Sequence, residues 1–258
     1  MPLRPVPTLA LLGLLWCGWA AALEPARLGD GPDHDRCFGL LRTDAEAARF
    51  FADGWEAGGG GDDARHCAAL ALLALDETEA GADRLEDLAR RSTADPAVRA
   101  ALFAEAANAW MLADDADRAY GAATMALTLA PDDPALAVDR AVALGALRRW
   151  AEALEDLDRA VALAPSRPDA WVLRAGAERR LGRMAEAERD VAKALALAPD
   201  DADALLERAA LRRAKGDIKG ARADWERVVQ VASEADTADL ARRNLHQNPL
   251  PSATRRPR

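Results

Sequence analysis

Two short stretches, Asp33-His34-Asp35-Arg36-Cys37 and Arg65-His66-Cys67, bring together the side chains with most chemistry to offer. Three outcomes are open to them. The thiols can bond to each other, remain two free buried thiols, or share a metal ion with His34 and His66. Metal sharing is the weakest, because His66 and Cys67 are neighbours on a helix and point about 100° apart. A disulfide between Cys37 and Cys67 is expected if the chain is exported, since a lone pair of cysteines bonds in an oxidising compartment.

A second pattern recurs. Arg140, Arg174 and Arg208 are each followed, sixteen residues later, by Asp156, Asp190 and Asp224. One such pair would mean nothing. Three in register predict a repeated Arg–carboxylate bridge, a structural rather than catalytic device. The competing reading is independent surface charges, where an exposed pair contributes at most ~1 kcal/mol. The four glycines of residues 58–61 precede a helix, but Asp62 and Asp63 stand where an anion would sit and no lysine follows, so they read as a flexible turn. His246 lies near the C-terminal end, and Ser92, Ser166, Ser233 and Ser252 fall in turns or ends without a Gly-x-Ser-x-Gly elbow. The expectation is a protein that is not an enzyme, with no cofactor and no metal site.

The elements that position these residues follow from composition and spacing. Hydrophobic residues make up 50% and charged residues 30% of the 258-residue chain, so it is globular. Ala, Leu, Arg, Glu and Asp dominate and predict an all-α fold. Pro131, Pro165 and Pro199 are spaced by 34 residues. In that register small residues recur at the eighth position (Ala107, Ala141, Ala175, Ala209) and the twentieth (Ala119, Ala153, Ala187, Ala221). Large apolar residues recur at the twenty-fourth (Leu157, Val191, Trp225), and Ala126, Ala160, Ala194 and Val228 fill the twenty-seventh. A 34-residue period predicts a stack of identical supersecondary units.

This pattern resembles the tetratricopeptide repeat family. The unit from Pro168 carries the resemblance best, with Trp171, Ala175, Ala187, Val191 and Pro199, and departs from it at Arg174 and Glu178. The resemblance implies a right-handed superhelical solenoid of antiparallel helix pairs, each with a helix A and a helix B. Units are expected at 62–99, 100–133, 134–167, 168–201 and 202–235, with helix A of one at about 134–147 and helix B at about 150–164. Four extra residues lie in the stretch 90–98. A shortened N-terminal pair is expected over 33–61, with helices near 33–41 and 44–57. A capping helix is expected over 236–247, followed by a basic tail over 248–258.

In the family, helix A positions two, five, nine and twelve line the concave face, where spacings of three and four keep them on one stripe. Here they are Ala101, Ala104, Asn108 and Met111; Ala135, Val138, Val142 and Gly145; Asp169, Val172, Gly176 and Arg179; and Asp203, Leu206, Ala210 and Arg213. A groove so lined would take a protein or peptide with an apolar part and a charged end, Arg179 and Arg213 facing a carboxylate. Equally, its alanines and valines would pack against the neighbouring helix. The Lys and Asn pattern of a chaperone-binding carboxylate clamp is absent apart from Asn108.

The first 22 residues have the early Arg4, the apolar run from about Val6 to Trp19 and the Ala20-Ala21-Ala22 of a secretory signal peptide, cleaved before Leu23. A retained anchor is the alternative, but Pro5 and Pro7 leave the run short of the ~20 residues that span a bilayer. Cys17 follows Trp16 rather than a small residue, which argues against lipidation. The net charge of −9 becomes −10 without Arg4, and repels nucleic acid. The sequence is therefore expected to be an exported, periplasmic protein-binding adaptor of a Gram-negative envelope with no membrane span after cleavage, or else a homo-oligomeric scaffold.

Overall fold

In the computed structural model, residues 28–29, 31–232 and 235–250 are described, and among them the chain forms thirteen α-helices and no strand. The helices are α1 (Pro32–Leu41), α2 (Ala45–Ala57), α3 (Gly61–Ala74), α4 (Thr78–Arg91), α5 (Pro96–Leu112), α6 (Ala116–Leu129) and α7 (Pro134–Ala146). They continue with α8 (Trp150–Leu163), α9 (Pro168–Arg180), α10 (Met184–Leu197), α11 (Ala202–Ala214), α12 (Ile218–Val231) and α13 (Ala235–Gln247). The signal-peptide reading of residues 1–22, and the last eight residues of the expected basic tail, lie outside the described residues. No helix among the described residues is long and apolar enough to cross a membrane.

Helix starts are written into the sequence. Asp44, Asp95, Asp115, Asp133, Asp201 and Asp217 cap α2, α5, α6, α7, α11 and α12 by accepting first-turn N–H groups. Pro32, Pro96, Pro134 and Pro168 occupy the first turn, where a missing N–H costs nothing. The extra residues before the unit at Ala100 do not form a longer loop. Asp95 and Pro96 start α5 early, so it has 17 residues against 13 in α7, α9 and α11. Four residues are about one turn, so the buried face stays in phase.

The stops of α3, α5, α7, α9 and α11 share one geometry. The residue after each C-cap is left-handed: Asp76 (φ 67°), Asp114 (φ 59°), Arg148 (φ 60°), Gly182 (φ 79°) and Gly216 (φ 84°). Paired hydrogen bonds close each turn, as when Arg149 N donates to Leu144 O and Arg148 N to Gly145 O. These turns fold each A helix (α3, α5, α7, α9, α11) back against its B helix (α4, α6, α8, α10, α12).

The chain divides into two compact units, residues 23–163 and the residues from 164 onward. In the first, α1 to α8 pack in succession, with α1 against α3 and α5 against α7. In the second, α9 pairs with α10, α11 with α12, α9 lies beside α11, and α13 covers α12. Alanines at the eighth and twentieth positions are all buried, which lets the helix axes approach closely. Gly81 marks the same contact in the α3–α4 pair, where an added Cβ would collide with Leu73 and meet the Ala69 carbonyl. Leu157, Val191 and Trp225 fill the space beside the alanines.

Arg148 is the least suited of the five left-handed residues, because its Cβ crowds the backbone by about 1 kcal/mol or more there. Arg148→Gly is expected to raise stability by about 0.5–1 kcal/mol, seen as a higher urea midpoint at unchanged slope.

Candidate functional site

Each sixteen-residue pair is a two-pronged bridge between an A and a B helix. Arg140 Nε donates to Asp156 Oδ2 at 2.7 Å and Nη2 to Oδ1 at 2.5 Å. Arg174 Nε reaches Asp190 Oδ2 at 2.5 Å and Nη2 reaches Oδ1 at 2.9 Å. Arg208 Nε reaches Asp224 Oδ2 at 3.1 Å and Nη2 reaches Oδ1 at 2.7 Å. The aspartates are 5, 5 and 3% exposed, so these are not solvated surface charges. The hydrogen bonds that Arg140 donates to Asp156 raise its pKa above the ordinary value, against the opposing effect of burial. Arg212 adds a second cation to Asp224 at 2.7 Å, and its Nη1 also donates to the Gly220 carbonyl.

A fourth buried carboxylate, Glu86 on α4, has no counterpart in the sequence reading. Glu86 Oε2 accepts Trp110 Nε1 and Arg118 Nη2, both at 2.9 Å, and Arg90 holds the other oxygen. The Arg118 guanidinium lies 3.5 Å over the Trp110 ring and also bonds Asp83 at 2.8 Å. Burial opposes its charge, yet hydrogen bonds from Asp83 and Glu86 outweigh that and raise its pKa. Glu86, Trp110 and Arg118 come from three helices with no shared spacing. The only sequence signal was a tryptophan outside the repeat register.

At the N-terminal end Cys37 of α1 and Cys67 of α3 are joined by a disulfide, their Cα atoms 6.2 Å apart. Both are fully buried in a small cluster with Ala52, Ala68, Phe51 and Trp55. The sulfurs are thus bonded to each other and do not act as free thiolates for a metal. His34 stacks on Phe38 with ring centroids 4.3 Å apart, and its Nδ1 lies 3.8 Å from Asp63. His66, the other histidine of that reading, is buried with Nε2 2.5 Å from Glu105 Oε2, which links α3 to α5.

The proposed groove lining resolves differently from the expectation. Ala104, Met111, Val138, Val142, Val172 and Leu206 are all buried. They pack against neighbouring helices and are not available to a ligand, so of the two uses weighed for the apolar positions, packing wins. Arg179 does not wait for a carboxylate from outside. Its Nη2 donates to Glu207 Oε2 at 3.0 Å and its Nε to the other oxygen, tying α9 to α11. Two candidates are neither fully buried nor ion-paired, though the Asn108 Oδ1 itself is closed off from solvent. Asn108 on α5 is half-buried and its Oδ1 has no hydrogen-bond partner among the described residues. Arg213 on α11 is exposed, with no ion pair among them.

Comparison with known proteins gives the same architecture. The profile described as tetratricopeptide repeat matches residues 108–178. No curated protein matches the chain in sequence. Among solved structures, a chain of the APC/C hetero-tetramer Cut9–Hcn1 is 16% identical with a TM-score of 0.62, over 83% of this chain and 42% of that one. This chain therefore spans less than half of it. TTC0263, a thermophilic TPR protein of Thermus thermophilus, is 19% identical with a TM-score of 0.58, over 71% and 97%. YrrB, described as a TPR protein with an unusual peptide-binding site, is 18% identical with a TM-score of 0.52, over 74% and 96%. At these identities the likeness concerns the fold.

The buried groups can be probed in solution. Thiol titration of denatured, unreduced protein is expected to find neither Cys37 nor Cys67 free. Replacing both by serine should remove about 3–4 kcal/mol, from closing a loop with a sequence separation of 30. Glu86→Ala leaves Trp110 Nε1 without its acceptor and Arg118 with Asp83 alone, and should cost about 3 kcal/mol in urea unfolding. Asp87→Ala, one position along and half-exposed, should change stability by less than about 0.5 kcal/mol.

Proposed function

The chain is a tetratricopeptide-repeat protein, and from that premise we propose that it is a scaffold for protein–protein interaction in the bacterial cell envelope. It takes an extended or helical segment of a partner along its A helices. The observation that carries this reading is Asn108. It lies half-buried on the A-helix stripe of the first unit, and its amide oxygen, itself closed off from solvent, is an acceptor that nothing in the described chain uses, so a ligand N–H reaches it when the side chain turns outward. A polar group in that state favours a ligand N–H, because leaving it unmet costs about 1–3 kcal/mol. In the second unit Arg213, on α11, offers an exposed cation to a carboxylate. Most other groups of the stripe are packed or paired, so recognition rests on a few polar contacts rather than an apolar trough.

The envelope setting is supported by the signal-peptide pattern of residues 1–22 and by the Cys37–Cys67 bond, which persists in oxidising compartments. The function is tested by crosslinking and pull-down from native envelope extract. Asn108→Ala is expected to weaken capture of the partner about tenfold, and Arg213→Glu to weaken it further. Arg159→Glu, on the exposed face of α8, should leave capture unchanged. Undiminished capture by the Asn108→Ala, Arg213→Glu double variant would contradict the reading.

A further inference from the structure

The two units differ in charge. Residues 28–163 hold 13 basic and 27 acidic residues, a net −14, whereas residues 164–250 hold 16 and 15, a net +1. Much of this is neutralised internally by the bridges described above. Part of what is left over lies on one edge of each unit, where the A-to-B turns lie, although in the first unit Arg148 at the α7–α8 turn and Asp33, Asp35, Glu46 and Glu155 elsewhere are also exposed without an ion pair among the described residues.

In the first unit the turns α3–α4 and α5–α6 are neighbours, because His66 and Glu105 join α3 to α5. They carry Asp76, Glu77, Glu79, Asp114, Asp115 and Asp117. Glu77 is held by Arg49 and Asp115 caps α6, but Asp76, Glu79, Asp114 and Asp117 are exposed with no ion pair among the described residues. In the second unit the turns α9–α10 and α11–α12 are neighbours, because α9 packs on α11 and Lys215 pairs with Glu188. Arg183, Arg213 and Lys219 are exposed there, and none has an ion pair among the described residues. Arg183 and Lys219 also sit at the N-terminal ends of α10 and α12, where the helix dipole disfavours a cation. Asp217 caps α12 and Glu186 lies in the first turn of α10, but neither pairs with Lys219 or Arg183.

We propose that the basic edge of the second unit docks on the acidic edge of the first unit in another copy of the same chain. The occupant is named by the charges themselves, since the chain carries both members of the complementary pair. Each copy carries one edge of each sign, so every copy brings both halves of the contact. Because both edges are exposed, attraction is screened by salt: the Debye length falls from roughly 14 Å at about 50 mM to about 4 Å at 500 mM. This goes beyond the peptide-binding reading and does not depend on it.

Sedimentation of the full chain tests the proposal. In about 50 mM salt the weight-average mass should rise with protein concentration, and in about 500 mM salt it should return to that of one chain. Arg183→Glu with Lys219→Glu, and separately Glu79→Lys with Asp117→Lys, should each abolish the rise. An equimolar mixture of the two should restore association, because each brings the edge that the other lacks. If a reversal variant fails to fold, Arg183→Gln with Lys219→Gln replaces it and should weaken association severalfold. A wild-type chain that stays single at low salt, or a mixture of variants that does not associate, overturns the proposal. So does a single chain that binds a poly-glutamate peptide through Arg183 and Lys219, which would assign the edge to a foreign acidic segment. Asn108→Ala should leave self-association untouched, so the failure of one reading is distinguishable from that of the other.

Discussion

Asp156, Asp190 and Asp224 sit on B helices almost out of contact with water, where an ion without a partner costs several kcal/mol. Each is met by the arginine sixteen residues earlier, on the companion A helix, which points its planar fork at it, and Asp224 is met by Arg212 as well. The bridge therefore sets how far the two helices of a hairpin may slide or rotate. Glu86 applies the same constraint differently in the first unit, gathering Arg90, Arg118 and Trp110 from α4, α6 and α5. Charge burial of this kind is weak as a source of stability and strong as a source of register, since every misaligned packing strands a carboxylate.

Register, in turn, lets very small side chains do the packing. With the helices held in phase, Ala175 meets the α9–α10 contact and Ala187 faces it, both fully buried. Leucine there would force the axes apart. The turns supply the remaining condition. Five left-handed residues with the same pair of closing hydrogen bonds reverse the chain at the end of every A helix from α3 to α11. Two are glycines, and the other three bear conformational strain for the same geometry.

Much of this was legible in the sequence because it repeats. A 34-residue period is visible when the same residue class returns three or four times, as with Ala141, Ala175 and Ala209 or the three Arg–Asp pairs. What did not repeat was not legible. Glu86, Trp110 and Arg118 form a hub once only, across three helices. The one-turn extension of α5 is written in a single Asp95-Pro96 start, which spacing alone showed only as four extra residues in the stretch 90–98. On the candidate stripe, spacing left packing and binding undivided for a different reason. Helical periodicity names the residues that share a face, but not whether the next helix covers it. Val138 and Leu206 lie on the predicted stripe and are buried by neighbours, and Arg179 is taken by Glu207. Accessibility on such a face is set by contacts between units, to which a single unit's spacing is blind.

Interior demands thus govern what the surface of this scaffold can offer. Charges needed to hold hairpins are removed from recognition, and the polar groups that remain, at Asn108, Arg213 and the turn edges, are few. All of this depends on the Arg–Asp bridge locking each hairpin. A double-mutant cycle on Arg174 and Asp190 tests that most directly, comparing Arg174→Met, Asp190→Leu and the double variant by urea unfolding at neutral pH. A locked hairpin predicts a coupling of about 2–3 kcal/mol, with the double variant no less stable than either single one. Losses that simply add, to within about 0.5 kcal/mol, would show the two residues to be independent and would contradict it.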